Sequence, residues 1–202
     1  MITGLVGKVH AGVVFGRRTR VLTDELRKLT AGATRILDVG TGDGQIAQDL
    51  ARGRPGTTVE GIDVLLRAHT HIPVTLFDGT TIPFADGSFD SVTFSDVLHH
   101  TDDPAHLIAE AARVSRGHVV IKDHLSENVV DHATLRFMDW VGNAPHGVRL
   151  PYNYAPRADW MRWFQQAGLQ VEVFSTDVPL YPFPFSAVFG RSLHFVAKLR
   201  KG

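Results

Sequence analysis

Arg35-Ile-Leu-Asp-Val-Gly-Thr-Gly-Asp-Gly-Gln-Ile-Ala47 decides how the chain folds. Ile36, Leu37 and Val39 make a short apolar run of the kind a strand shows when both of its faces are buried. Gly40, Gly42 and Gly44 punctuate a tight turn, and Ile46, Ala47, Leu50 and Ala51 resume at helical spacing. A strand, a glycine turn and a helix opening suit a ligand that lies against bare backbone. Alternate glycines remove the Cβ atoms that would hold it off and permit dihedrals other residues resist. The helix start adds unpaired N–H groups and a partial positive end.

Outward from this stretch, strands and helices alternate. Thr57 to Asp63 reads as a second strand ending in an acid. Val64 to Thr70 leaves room for a short helix before a third strand at Ile72–Phe77. Asp78-Gly79 opens a loop that closes at Asp86-Gly87. Phe89–Ser95 is a fourth strand, Pro104 starts a helix carrying Leu107, Ile108, Ala111 and Ala112, and Gly117–Asp123 is a fifth strand. Helical spacing returns from Ser126 to about Trp140, and Gly142–Ala155 reads as a long loop, which in a compact domain tends to be a functional cover. Trp160, Trp163, Phe164 and Ala167 form the stripe of a last helix stopped by Gly168, before strands at Leu169–Phe174 and Leu193–Leu199. Upstream, Arg17–Leu29 reads as a helix with Leu22, Leu26 and Leu29 on one stripe, and the glycine-containing segment before it as a lid or a loose terminus. The expected fold is therefore α/β: a single doubly wound, Rossmann-like domain with a seven-stranded, mostly parallel sheet and one antiparallel edge strand. Ligands in such sheets sit beyond the C-terminal strand ends, where Gly40, Asp63, Asp78 and Ser95 all fall.

Composition narrows the classes. With 202 residues, 44% hydrophobic and 21% charged, the chain is long enough for one well-buried domain and short for two. Lys+Arg 21 balances Asp+Glu 21, so no overall field favours nucleic acid or an anionic membrane. Cysteine is absent, which excludes disulfides, thiolate nucleophiles and cysteine-ligated metal. No apolar run approaches the ~18–20 residues of a membrane span, and the start does not read as a secretion signal. A cytoplasmic protein without nucleic-acid partner or stable membrane insertion is expected.

The glycine spacing is G-x-G-x-G, not the G-x-G-x-x-G of the dinucleotide fingerprint, and Asp38 beside the turn would repel a pyrophosphate. With Asp38 before the turn and Asp63 ending the next strand, the stretch from Arg35 to about Leu125 resembles the class I S-adenosylmethionine (SAM) methyltransferases, in their general small-molecule branch. The resemblance implies SAM as cofactor, held by Asp38, Gly40, Thr41, Gly42, Asp63, Val64, Asp78, Gly79 and Ser95. Asp63 would accept both ribose hydroxyls through charge-assisted bonds. Asp78-Gly79 would meet the adenine, although an ordinary Asp-Gly turn competes with that reading. Ser95 would act through its backbone carbonyl, and Asp38 would orient the turn and the cofactor amine. It also implies an N-terminal lid or helix over 1–30, a cofactor core over 35–125 and acceptor-side elements over 126–202. Ser95-Asp-Val-Leu98 stands where amino-methylating DNA enzymes carry Asn/Asp-Pro-Pro-Tyr/Phe.

Methyl transfer to oxygen of a small, apolar or aromatic acceptor is the favoured reaction. His124 and His100 are the candidate general bases, since histidine titrates near neutrality. His99 reads as structural, His146 as a group that would enter from the long loop, and no metal is assigned. Trp140, Tyr152, Tyr154 and Tyr181–Phe189 supply either an acceptor pocket or cover for the sheet edge. A non-catalytic SAM-binding scaffold and a nicotinamide oxidoreductase are the alternatives.

Overall fold

The computed structural model describes residues 2–143, 151–183, 186–190 and 192–202, apart from the side chains of 2–15 and 141–143. Seven strands form one sheet: β1 (Arg35–Val39), β2 (Thr58–Asp63), β3 (Val74–Leu76), β4 (Phe89–Ser95), β5 (Ser115–His124), β6 (Leu169–Ser175) and β7 (His194–Lys201). Their spatial order is β3-β2-β1-β4-β5-β7-β6. β1 to β5 pair in parallel, whereas β7 runs antiparallel to both β5 and β6. The expected antiparallel pair thus sits at one edge, with the reversed strand second from the end and β6 outermost. Burial explains the order: β7 is buried almost throughout, while β6 exposes Gln170 to Val173.

Helices cover both faces. On one side α1 (Ile2–Leu29) and α2 (Gln45–Ala51) pack Leu26, Leu29, Ile46 and Leu50 against Ile36 and Val120. On the other, α3 (Pro104–Val114) and α5 (Arg157–Gln166) bring Leu107, Ile108, Trp160 and Phe164 onto Val92, Phe94, Ile121 and Phe195. Alternation along each strand sends successive side chains to these two cores. The α3 start follows ordinary capping rules, because Asp103 accepts the N–H of His106 and Pro104 fills the first turn.

Several boundaries differ from the sequence reading. The glycine-containing segment before Arg17 continues α1 back to Ile2. Val64 to Thr70 forms bends rather than a helix; a helix that short carries the nucleation cost with few bonds to offset it. α4 (Val129–Asn143) starts three residues after Ser126, because the Asn128 side chain accepts the N–H groups of Val130 and Asp131. It also runs past Trp140, so the expected loop is shorter; residues 144–150, His146 included, lie outside the described residues. A one-turn helix, α6 (Ser186–Phe189), interrupts the proline-rich connection before β7.

The glycine turn is fixed at its base. Gly40 and Thr41 both donate their N–H groups to the Ile62 carbonyl, at 2.8 and 3.1 Å, so the chain leaving β1 crosses the end of β2. Gly40 has φ 72° and Gly42 φ 62°, the left-handed region that costs an L side chain about 1–2 kcal/mol. They differ in surroundings. A Cβ on Gly40 would lie 2.7 Å from Val97 Cγ1 and closer still to Cγ2, whereas one on Gly42 meets nothing within 4 Å. Urea denaturation should therefore rank Gly40→Ala as the costlier change, by roughly 1–3 kcal/mol over Gly42→Ala. Equal losses would show that Val97 moves aside freely.

Candidate functional site

The C-terminal ends of β1, β2, β3 and β4 open onto a cleft of about 430 Å³, within the range of small-molecule sites. Gly40, Gly42, Asp63, Val64, Asp78 and Gly79 line it. Asp38, Thr41 and Ser95 stand behind that wall. Asp38 holds the turn from below: its two carboxylate oxygens accept the hydroxyls of Thr41 and Thr93, each at 2.7 Å. Burial pushes its pKa up to about 6. After Ser95 the chain turns through Asp96, whose φ of 59° is unusual for a residue with a side chain, and Asp96 and Val97 line the cleft instead of Ser95.

Asp63 is almost buried and accepts the N–H of Gly42 at 2.8 Å on one oxygen and that of Leu65 at 2.9 Å on the other. Each oxygen keeps a second lone pair for a vicinal diol. Asp78 takes both of its sequence readings at once. One oxygen caps the N–H groups of Thr80 and Thr81, both at 2.7 Å, as an Asp-Gly turn requires, while the residue still faces the cleft. These backbone bonds hold its carboxyl below the usual range. Gly79, at φ 82°, leaves room beside Val64, which is 3.1 Å from where a Cβ would stand. The residues present are of the kind SAM needs: two carboxylates able to accept hydroxyl or amine protons, and a turn whose Gly42 is open.

Beside this cleft lies a buried ionic cluster that sequence spacing did not reveal as one. Asp123, at the end of β5, accepts the backbone N–H of Leu98 at 2.9 Å and the imidazole Nδ1–H of His99 at 2.6 Å. The far nitrogen of His99 is 3.5 Å from Asp139 of α4, and Asp139 accepts the Tyr154 hydroxyl at 2.6 Å. Burial opposes charge on His99, but Asp123 and Asp139 outweigh it and raise its pKa to about 10. It is a structural imidazolium. On the opposite face of β5, Asp96 is bonded by both Arg18 of α1 and the wholly buried Lys122. Burial opposes ionisation of Asp96, yet those two cations hold its carboxyl well below the usual range.

The two candidate bases occupy different places. His100 lines the cleft, and its buried Nδ1 has no hydrogen-bond partner among the described residues. His124 is 5% exposed and stands behind the cleft, its Nδ1 3.3 Å from Asp123 and 3.7 Å from Asp96. Burial, then Lys122 and His99, push its pKa down to about 4; burial and His99 also lower that of His100. Both are neutral at pH 7. Three His/Asp groupings here have ligand atoms within 4.8 Å of one another. Arg18, Lys122 and His99 already balance Asp96, Asp123 and Asp139, so no metal is assigned. Of the expected acceptor-side aromatics, Tyr154 stacks on His99 and Tyr181 packs on His194, while Trp140 and Phe183 are exposed.

The pH dependence of the His99 contact follows from its sign. Its folded pKa of about 10 lies above the ordinary value near 6.5, so its stabilisation is complete below about 6.5 and is lost as pH rises through 10. The stability difference between the protein and His99→Gln, measured by urea unfolding, should shrink steadily from pH 6.5 to 10. A difference independent of pH over that range would mean the imidazole is not held charged.

Comparison with known proteins agrees with this geometry. The profile of a family described as "Methyltransferase domain" matches residues 15–173. A ubiquinone/menaquinone biosynthesis C-methyltransferase of Desulfotalea psychrophila is 35% identical over 92 residues, 41% of this chain and 37% of that protein. A ubiquinone biosynthesis O-methyltransferase of Thiobacillus denitrificans is 29% identical over 153 residues, 68% of this chain and 65% of that one. The matches therefore span less than two thirds of either relative. Among solved structures, an S-adenosylmethionine-dependent methyltransferase of Mesorhizobium loti superposes with a TM-score of 0.64 at 18% identity, over 88% of this chain and 96% of that one, and shows the same fold. With the family profile spanning most of the chain over a cleft that fits the cofactor, this protein belongs to the class I SAM-dependent methyltransferase family.

Proposed function

We propose that the chain transfers a methyl group from SAM to a small-molecule acceptor, with oxygen the favoured acceptor atom. One observation carries the reading: a cleft at the C-terminal strand ends joins Asp63, Asp78 and the glycine turn to a neutral histidine, His100, with a second, buried one, His124, 3.7 Å from the cleft residue Asp96. The named activities of the relatives, C- and O-methylation in quinone biosynthesis, support an acceptor of similar kind.

SAM, when bound, supplies a methyl group on a cationic sulfur. The residues of this chain have two tasks. Asp63 and the glycine turn hold the ribose end, and Asp78 and Gly79 the adenine, so that the methyl is presented at a fixed point; alignment of reactants accounts for much of such a barrier reduction. A neutral imidazole would take the acceptor proton: as the new C–O bond formed and the methyl–sulfur bond broke, its electron pair staying on sulfur, the O–H bond would break and the proton end on His124 or His100. A base with a depressed pKa is a weak one, but it is present in the neutral form throughout the physiological range.

The oxygen preference rests on those neutral imidazoles, because a hydroxyl must lose its proton during transfer. A scaffold that binds SAM without chemistry would share the cleft, and turnover separates the two. Calorimetry should show Asp63→Ala weakening SAM binding by about 1.5–3 kcal/mol, roughly 10- to 150-fold in Kd. Unchanged affinity would remove Asp63 from the site. His124→Ala should lower the methyl-transfer rate at saturating SAM while leaving SAM affinity near that of the parent, tested on a panel of phenols and hydroxyquinones. A variant as fast as the parent would leave His100 as the base.

A further inference from the structure

Lys122 is the least expected residue of the cluster. It is wholly buried in the middle of the sheet, where an aliphatic side chain would fit at far lower desolvation cost. Its nearest carboxylate, Asp96, is already paired with Arg18. Two cations on one carboxylate leave this face of the sheet with a surplus positive charge. Alternation along β5 puts His124 on the same face as Lys122, and the antiparallel register puts His194 of β7 directly opposite His124. The two imidazole rings are 4.8 Å apart.

The donor and acceptor inventory then orders the protons. Burial lowers the Lys122 pKa and the bonded Asp96 carboxylate opposes that; as an ammonium on Asp96 the group donates only, so His194 Nδ1, 3.3 Å from Lys122 Nζ, must offer a lone pair. The other nitrogen, Nε2, is 3.1 Å from the Phe189 carbonyl, which only accepts, and therefore carries the proton. Both contacts select the same neutral tautomer. His124 Nδ1 lies 3.3 Å from Asp123, 3.7 Å from Asp96 and 3.4 Å from His99 Nδ1, so carboxylates and a cation meet at the same ring edge. A second proton on His124 is favoured by Asp123 and Asp96 and opposed by Lys122 and the His99 imidazolium. His194 and Tyr154 are the other titratable groups packed on its ring, and Arg18 acts through Asp96.

We propose that Lys122 is a positioning residue of the reaction centre, whose ammonium, wedged between Asp96 and His194, fixes the Nε2–H tautomer of His194 and opposes a second proton on His124, and so leaves His124 ready to receive the acceptor proton. The last clause rests on the His124 reading given above. The ordering of protons does not, and it is measurable without any acceptor.

Long-range 1H–15N spectra of the full chain labelled with 15N-histidine test it. In the parent protein His194 should show the Nε2–H tautomer from pH 6 to 8, and His124 should stay neutral well below the ordinary histidine range. Lys122→Met should raise the His124 midpoint by about one pH unit or more and release His194 from its single tautomer. Lys122→Arg, which keeps the charge, should retain a low midpoint. A parent His194 protonated on Nδ1 overturns the proposal, as does an unmoved His124 midpoint in a Lys122→Met protein that still binds SAM. Should Lys122→Met fail to fold, the parent tautomer and the Lys122→Arg midpoint decide it. Full turnover by His124→Ala, with these spectra as expected, would sink the base assignment and leave the role of Lys122 in proton order standing.

Discussion

One carbonyl oxygen, that of Ile62, receives the N–H groups of both Gly40 and Thr41. The rest of the site depends on that pair of bonds. They oblige the chain leaving β1 to pass over the end of β2 in a left-handed conformation, which selects glycine at Gly40 and admits Val97 against its bare face. The same crossing brings the Gly42 N–H to Asp63, so the turn and the carboxylate position each other. Asp38, bonded to Thr41 and Thr93, closes the arrangement from beneath. A cleft with a carboxylate at its rim and a bare backbone floor is the geometric consequence.

Much of this was legible because the signals are local. A run such as Ile36-Leu-Asp-Val39 has to be a buried strand, and three alternate glycines after it have to be a turn, whatever the rest of the chain does. β4 spans Phe89–Ser95 in the sequence reading and in the structure alike, since Asp86-Gly87 and Asp96 bracket it. Boundaries were lost where the deciding interaction is one side chain on backbone: Asn128 sets the start of α4, and periodicity cannot see a cap. The order of β6 and β7 followed the same rule in reverse. Their antiparallel pairing was readable from the pattern, but which of the two is outermost depends on burial, which a period of two does not report.

The ionic cluster was illegible for a different reason. His99, His124 and Asp123 stand at strand ends and are visible as such, but Arg18, Asp139 and His194 lie on three other elements, and spacing carries no information about them. Lys122 adjoins Asp123 in the chain, yet nothing in the sequence marks it as the wholly buried lysine it is. A helix stripe or a strand alternation is written in neighbouring residues; a charge pair across 78 positions, as between Arg18 and Asp96, is written only in the fold.

That cluster is also hard to explain as a device for stability. Buried ion pairs seldom repay their desolvation against apolar residues of similar size, and this one contains three cations and three carboxylates. Its balance has a use in the proposed reaction. Methyl transfer removes a positive charge from sulfur, and deprotonation of a hydroxyl acceptor by His124 places one on the imidazole. The total charge of the site stays constant through the step, so the low-dielectric surroundings need not solvate a new ion; they only see one move. A neutral histidine beside a balanced set of charges provides for that. Burial does most to keep His124 neutral, and the surplus on the Lys122 face works in the same direction, against the pull of Asp123 and Asp96 towards an imidazolium.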